Sequence, residues 1–217
     1  MGVRLAVFDC DGTLVDGQAA VCAAMDAGFV EAGLPAPDHD LVRRVVGLSL
    51  TTAISRLAPD AEPRQWDRAV AGYKQAFRNA RASGHLAEPL FPGIAELIVR
   101  LRGADWLLGV ATGKSDRGLA NCLATHGLTA HFCTLQTADR HPSKPHPAML
   151  EAALAEALAE PQGCVMIGDT SYDIEMARAI GVRAIGVGWG YHSAEELLAA
   201  GADCVAATPA ELGDWLA

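Results

Sequence analysis

The chain of 217 residues lacks several features that would assign it a function at once. No Lys/Arg run is longer than two residues and the formal net charge is −9, which argues against a nucleic-acid surface or an anionic membrane as partner. Acidity does not exclude a phosphate substrate, because a metal ion and one lysine can set the local field. No apolar run approaches membrane-spanning length. The six cysteines (10, 22, 122, 133, 164 and 204) contain no C-x-x-C pair and keep no metal-type spacing with histidine. Buried free thiols in a reducing compartment are expected. His39, His85, His126, His131, His141 and His192 show no ligand spacing. Gly186, Gly188 and Gly190 are wrongly spaced for a dinucleotide fingerprint. Internal repeats and low-complexity segments are absent as well. The first strand begins by residue 3, which leaves no room for a signal peptide, so a cytoplasmic protein is expected.

What is present starts at the N-terminus. The apolar strand Leu5-Ala6-Val7-Phe8 runs straight into Asp9-Cys10-Asp11-Gly12-Thr13. Carboxylates at the end of a buried strand are costly to desolvate unless a cation or a reaction needs them. Residues i and i+2 of a strand share a face, so Asp9 and Asp11 can address one point while Cys10 faces away. That suits a nucleophile and a proton-transfer partner. An acidic turn or a calcium loop reads similarly. The calcium reading fails early, because Thr13, Leu14 and Val15 stand where further oxygen ligands belong.

Hydrophobic residues make up 51% of the chain, enough for a sizeable core. From about residue 86 onward, strands and helices alternate. Residues 106–111, 131–135, 164–167, 182–187 and 203–206 read as strands. Helical patterns lie between them, one over Ala148 to Ala159, and capping boxes at Ser193/Glu196 and Thr208/Glu211 start the last two. The pattern predicts an α/β fold, a Rossmann-like parallel sheet with helices on both faces. Residues 17–85 break the rhythm with four helical stripes and no strand. An all-helical insert there would lie over the carboxyl edge of the sheet, where such folds bind ligands.

Three more strand ends carry polar groups. Val110-Ala111-Thr112-Gly113-Lys114-Ser115 resembles a nucleotide phosphate loop, but its first glycine would fall on Leu108. What remains is a hydroxyl, a glycine amide and a helix start, which donate well to an anion and equally well describe a capped turn. In Ser143-Lys144-Pro145-His146-Pro147 two prolines restrain the backbone around Lys144, as a fixed charge requires, although lysine in such a loop is commonly solvated surface. Ile167-Gly168-Asp169-Thr170-Ser171-Tyr172-Asp173 ends a buried strand with two acids four apart, which can face the strand ends or simply cap a helix. All four sites fall at carboxyl ends of predicted parallel strands. Together they hold four acids, a threonine and a lysine, an inventory for magnesium-assisted phosphoryl transfer.

DCDGTLVD, VATGKS, SKPHP and GDTSYDIEMA, in this order, resemble the four signatures of the haloacid dehalogenase superfamily. The likeness is to its helical-cap subgroup, phosphoglycolate phosphatase-like and β-phosphoglucomutase-like. The resemblance implies a catalytic core over 1–15 and 86–217, a helical cap domain over 16–85, and a Mg²⁺ cofactor. It implies Asp9 as the nucleophile that takes the phosphoryl group. Asp11 becomes the acid to the leaving alcohol and then the base that activates water. Thr112, Gly113 and Lys144 bind the phosphate. Asp9, Asp169 and the backbone carbonyl of Asp11 ligate the metal, with Asp173 direct or through water. Gly47-Leu48-Ser49 resembles the specificity loop, and Arg43, Arg44 and Arg56 are candidates to meet a substrate carboxylate or second phosphate. The implied activity is hydrolysis of a small phosphorylated metabolite, such as phosphoglycolate or a sugar phosphate. A phosphomutase uses the same core residues, and a non-catalytic phosphate-binding protein on this scaffold is the rival from another class. The expected partner is that metabolite alone, with no nucleic acid or membrane, and the protein is expected as a monomer or homodimer.

Overall fold

The computed structural model describes residues 2–216, so Met1 and Ala217, the outermost residues of the expected core, lie outside the described residues. The apolar stretch β1 (Leu5–Phe8) is buried on both faces. Ala6 and Phe8 pack into one apolar cluster with Ile98 and Leu119, whereas Leu5 and Val7 pack into another with Met149 and Ile174. Period-2 alternation thus serves two cores, as a strand covered by helices on both sides requires.

The remaining strands are β2 (Leu107–Thr112), β3 (Thr134–Thr137), β4 (Cys164–Gly168), β5 (Arg183–Val187) and β6 (Cys204–Ala206). They form one parallel sheet in the order β3-β2-β1-β4-β5-β6. The order reverses across β1 and β4, and Phe8 is level with both Val110 and Ile167. Asp9, Thr112 and Asp169 therefore emerge side by side at the switch point, where parallel sheets open a crevice.

Helices α1 (Gln18–Ala32), α2 (His39–Val45), α3 (Leu50–Leu57) and α4 (Pro63–Ala82) follow β1 directly, with no strand among them. Val21, Met25 and Phe29 of α1 meet Val42, Ile54 and Ala69 in a separate apolar cluster, the stripes that the sequence displays. The chain leaves and re-enters the sheet layer through adjacent segments. Asp16 N donates to Pro89 O (2.8 Å) and Phe91 N to Leu14 O (3.0 Å). After α5 (Ile94–Gly103), the covering helices are α6 (Asp116–Thr125), α7 (Ala148–Ala157), α8 (Ser171–Arg178), α9 (Ala194–Ala199) and α10 (Pro209–Leu216).

Two expectations shift. The third strand runs over Thr134–Thr137 rather than 131–135, and His131 closes a short 3₁₀ turn. Its polar residues are buried yet satisfied. Gln136 donates to Thr134 Oγ1 (2.7 Å) and Thr137 to Asp116 Oδ1 (2.6 Å), so a hydrophobic pattern misses them. Helix α7 stops at Ala157 instead of 159, because Leu158 adopts a left-handed conformation (φ 54°).

Candidate active site

Asp9 follows β1 with no exposed surface, and its amide donates to Ile167 O (2.9 Å). Asp169 follows β4. Its Oδ1 accepts from Thr13 Oγ1 (2.8 Å) and its Oδ2 from the Tyr191 amide (2.9 Å). Asp173 lies in the first turn of α8, where its Oδ2 accepts from the Thr170 amide (3.1 Å) and hydroxyl (2.7 Å) as half of a capping box. Its Oδ1 accepts from Lys144 Nζ (2.6 Å), which also lies 3.0 Å from Asp9 Oδ1. The Lys144 side chain is fully buried between these two carboxylates.

Oxygens of Asp9, Asp169 and Asp173 lie within 4.8 Å of one another. Three buried carboxylates thus gather around one ammonium group, which touches Asp9 and Asp173 but not Asp169. Among the described residues neither Asp9 oxygen is paired in a directed hydrogen bond, and the ammonium of Lys144 lies 3.0 Å from Oδ1 as an ionic contact. Burial pushes the Asp9 carboxyl up to about 7 against the pull of Lys144. Burial, then the neighbouring Asp9 and Asp173, raise Asp169 well above the usual carboxylate range. Lys144 is itself raised: burial opposes its charge, but Asp173 and Asp9 outweigh that. Orphaned buried oxygens in an excess of negative charge fit a hard divalent cation.

Asp11 faces a second cation. Its Oδ1 is 3.0 Å from Lys114 Nζ, which donates to Glu88 Oε1 (2.6 Å). Arg81 reaches Glu88 Oε2 at 3.4 Å. Burial raises the Asp11 carboxyl, partly offset by Lys114. Sequence reasoning did not assign Glu88 or Lys114 to the site. Lys114 carried a signal, its place in VATGKS, whereas Glu88 beside Pro89 had none. Thr112 is buried, and its hydroxyl accepts from the Lys114 amide (3.3 Å).

The helical layer closes on this edge. At Gly47 (φ 91°) a Cβ would stand 3.2 Å from Thr170 Oγ1 and 3.8 Å from Asp9 Oδ2. At Gly113 it would collide with the Leu48 carbonyl and lie 2.8 Å from Gly47 O. The loop over Asp9 fits only because neither residue has a side chain. Beyond it lies a cavity of about 740 Å³ whose wall includes Asp11, Gly47, Ser49 and Gly113, but not Asp9.

Arg43, Arg44 and Arg56 are not brought to that wall. Arg43 pairs with Asp40, and Arg44 with Glu196 on α9. Arg56 lies over the Tyr172 ring (5.2 Å) and donates to its hydroxyl (3.0 Å). The buried faces of α2 and α3 aim the latter two arginines at α9 and α8 instead. Cys10 also points away from the acids, with its Sγ 3.9 Å from that of Cys122. Among the described residues no helix is long and apolar enough to cross a membrane.

Comparison with known proteins agrees with this geometry. A family model described as haloacid dehalogenase-like hydrolase matches residues 6–187. A Dickeya dadantii protein named "Probable phosphatase IndB" is 35% identical over 90% of this chain and 86% of its own length. The phosphoglycolate phosphatase of Chromobacterium violaceum is 31% identical over 99% of this chain and 96% of its own. The tyrosine-protein kinase PtkA of Mycobacterium tuberculosis is 32% identical over 88% of this chain, which spans only 64% of that protein. Among solved structures, a haloacid dehalogenase-like family hydrolase from Streptococcus pneumoniae superposes with a TM-score of 0.85 at 26% identity, over 99% of both chains. With four carboxylates and a buried lysine gathered at the switch point, and a family match over most of its length, the chain belongs to the haloacid dehalogenase-like hydrolases.

Proposed function

We propose that this protein is a Mg²⁺-dependent phosphatase that hydrolyses a small phosphorylated metabolite, phosphoglycolate- or sugar-phosphate-like, through an aspartyl-phosphate on Asp9. One observation carries the reading: Asp9 is fully buried, both its oxygens are free of directed hydrogen bonds, and Lys144 holds it from one side. The names of two relatives, IndB and the Chromobacterium enzyme, support it. The kinase name PtkA weighs less, because the Val110–Ser115 turn lacks the first glycine of a nucleotide phosphate loop.

The residues at this edge suit two proton-balanced steps. An Asp9 oxygen attacks phosphorus while the ester oxygen leaves, and Asp11 hands that oxygen its proton. Asp11, now a carboxylate, then takes a proton from water, whose oxygen attacks the phosphorus and releases Asp9 and inorganic phosphate. Thr112, the Gly113 amide and Lys144 hold the phosphoryl oxygens. Asp173 positions Lys144 through the 2.6 Å contact. Asp9 and Asp169 and the Asp11 carbonyl would hold Mg²⁺, with Asp173 direct or through water; when bound, the ion neutralises charge on the phosphoryl oxygens. Catalysis is then mainly positioning and charge stabilisation. Residues 16–85 act as a cap. Because Gly47 roofs Asp9, its loop must lift for an ester to enter.

The test is phosphate release from a panel of small monoesters, with Mg²⁺ and with a chelator. Release that needs Mg²⁺ and vanishes in Asp9→Asn supports the reading. Turnover retained by Asp9→Asn rules out the assigned nucleophile.

A further inference from the structure

The cavity beyond the Gly47 loop is larger and more basic than a two-carbon phosphate ester requires. Its volume of about 740 Å³ falls in the range of sites for ligands of several hundred daltons. Five of the chain's 17 Lys and Arg residues line it, in a molecule of net charge −9. Two of the five are neutralised, because Lys114 and Arg81 pair with Asp11 and Glu88. The other three are Lys74 and Arg78 on α4 and Arg117 in the first turn of α6, and none makes an ion pair among the described residues. Among the described residues Arg78 is bound only by the neutral amide oxygen of Gln75 (2.6 Å). The remaining acid on the wall, Asp139, accepts from the Asp116 amide (2.9 Å). Lys74 and Arg78 are four apart and share a helix face. The half-buried Tyr73 and Phe77, with ring centroids 5.0 Å apart, belong to the same wall.

Unpaired cations around an acidic protein's cavity attract a second anion, and a guanidinium matches a carboxylate or phosphate with two parallel hydrogen bonds. We infer that Lys74, Arg78 and Arg117 form a distal anion subsite. The substrate class is then a phosphomonoester whose carbon skeleton lies against Tyr73 and Phe77 and ends in a carboxylate or second phosphate. This rests on the phosphatase reading for the position of the ester, and it replaces Arg43, Arg44 and Arg56 as the residues that meet the far end.

A matched pair of probes separates the two readings: phenyl phosphate, and 4-carboxyphenyl phosphate, which adds only the far carboxylate. The wild-type protein should favour the carboxylated ester in kcat/KM by roughly 10-fold, the scale of one charge-assisted contact. The double variant Lys74→Met/Arg78→Gln should bring that ratio close to one, mainly through KM. Arg64→Gln, on the exposed start of the same helix, should leave the ratio as it is. Calorimetry of both probes with Asp9→Asn measures the same preference without turnover. If neither ester is hydrolysed but the binding preference appears and collapses in the double variant on the Asp9→Asn background, the phosphatase reading fails and the subsite stands. Hydrolysis of both esters with a ratio near one, or a ratio unchanged in the double variant, overturns the subsite. So does the absence of any binding preference.

Discussion

Lys144→Met should be among the most destabilising single substitutions outside the apolar core. The lysine has no exposed side-chain surface and touches two carboxylates, at 2.6 and 3.0 Å. Methionine keeps the volume and removes the charge, leaving Asp9, Asp169 and Asp173 within 4.8 Å of each other without a cation. Removing one partner from a buried ion pair costs about 3–5 kcal/mol, because the orphaned charge stays desolvated. Against a total stability of roughly 5–15 kcal/mol the variant should still fold. In urea, with a slope near 2 kcal/mol/M, the midpoint should fall by about 1.5–2.5 M at pH 8 in the presence of a chelator. The loss should shrink at pH 5. Burial already raises the Asp9 and Asp169 carboxyls, and without Lys144 the Asp9 carboxyl rises further, so that protonation takes the place of the lost cation. Adding Asp173→Asn should recover more than 1 kcal/mol, a coupling expected only between groups in contact. A loss below about 1 kcal/mol, or one equal at pH 5 and pH 8, would show that Lys144 does not balance these acids and refute the electrostatic account.

The same acids set a pH dependence. The Asp9 carboxyl sits at about 7 in the folded, metal-free protein against 3.8 in an open chain, so its contribution is complete below pH 4 and is lost as pH rises through 7. Asp9→Asn, which cannot ionise, should therefore be the more stable protein at pH 8 by on the order of 2–4 kcal/mol in chelator, and not at pH 4; a variant less stable at pH 8 in a urea titration contradicts this. Gly113→Ala should drive the Leu48 carbonyl off the sheet edge and hold the cap loop away. Turnover should fall by roughly 10-fold or more while the denaturation midpoint moves little, since a misplacement near 1 Å can cost that much; an unaltered rate would mean that closure over Gly113 does not matter. Arg44→Ala cuts the exposed link to Glu196 and should cost less than about 1 kcal/mol in the same urea assay.

Much of the candidate site is legible in the sequence. Asp9, Asp11, Thr112 and Asp169 sit at the end of a strand or just beyond one, Asp173 in the first turn of α8 and Lys144 in the loop between β3 and α7, and parallel strands deliver all their carboxyl ends to one edge. The helix starting at Ser171 places Asp173 where the spacing suggested, and the Ser193/Glu196 capping box forms with both reciprocal bonds. The third strand was misplaced because Gln136 and Thr137 are buried through side-chain hydrogen bonds, which a hydrophobic pattern does not register.

The four motifs, the alternation of strands and helices and the helical interruption are local properties of the chain, set by periodicity and turn chemistry over a few residues. Partnerships between distant segments are not local. Glu88 meets Lys114 across 26 positions and Arg44 meets Glu196 across 152, and nothing in either neighbourhood announces the other. The apolar stripe of α4 showed which face it buries, yet only the packed helix decides that Lys74 and Arg78 flank the cavity. How a helix rotates and how close a loop comes to an aspartate follow from the simultaneous packing of all layers, down to whether a glycine leaves room for a carbonyl.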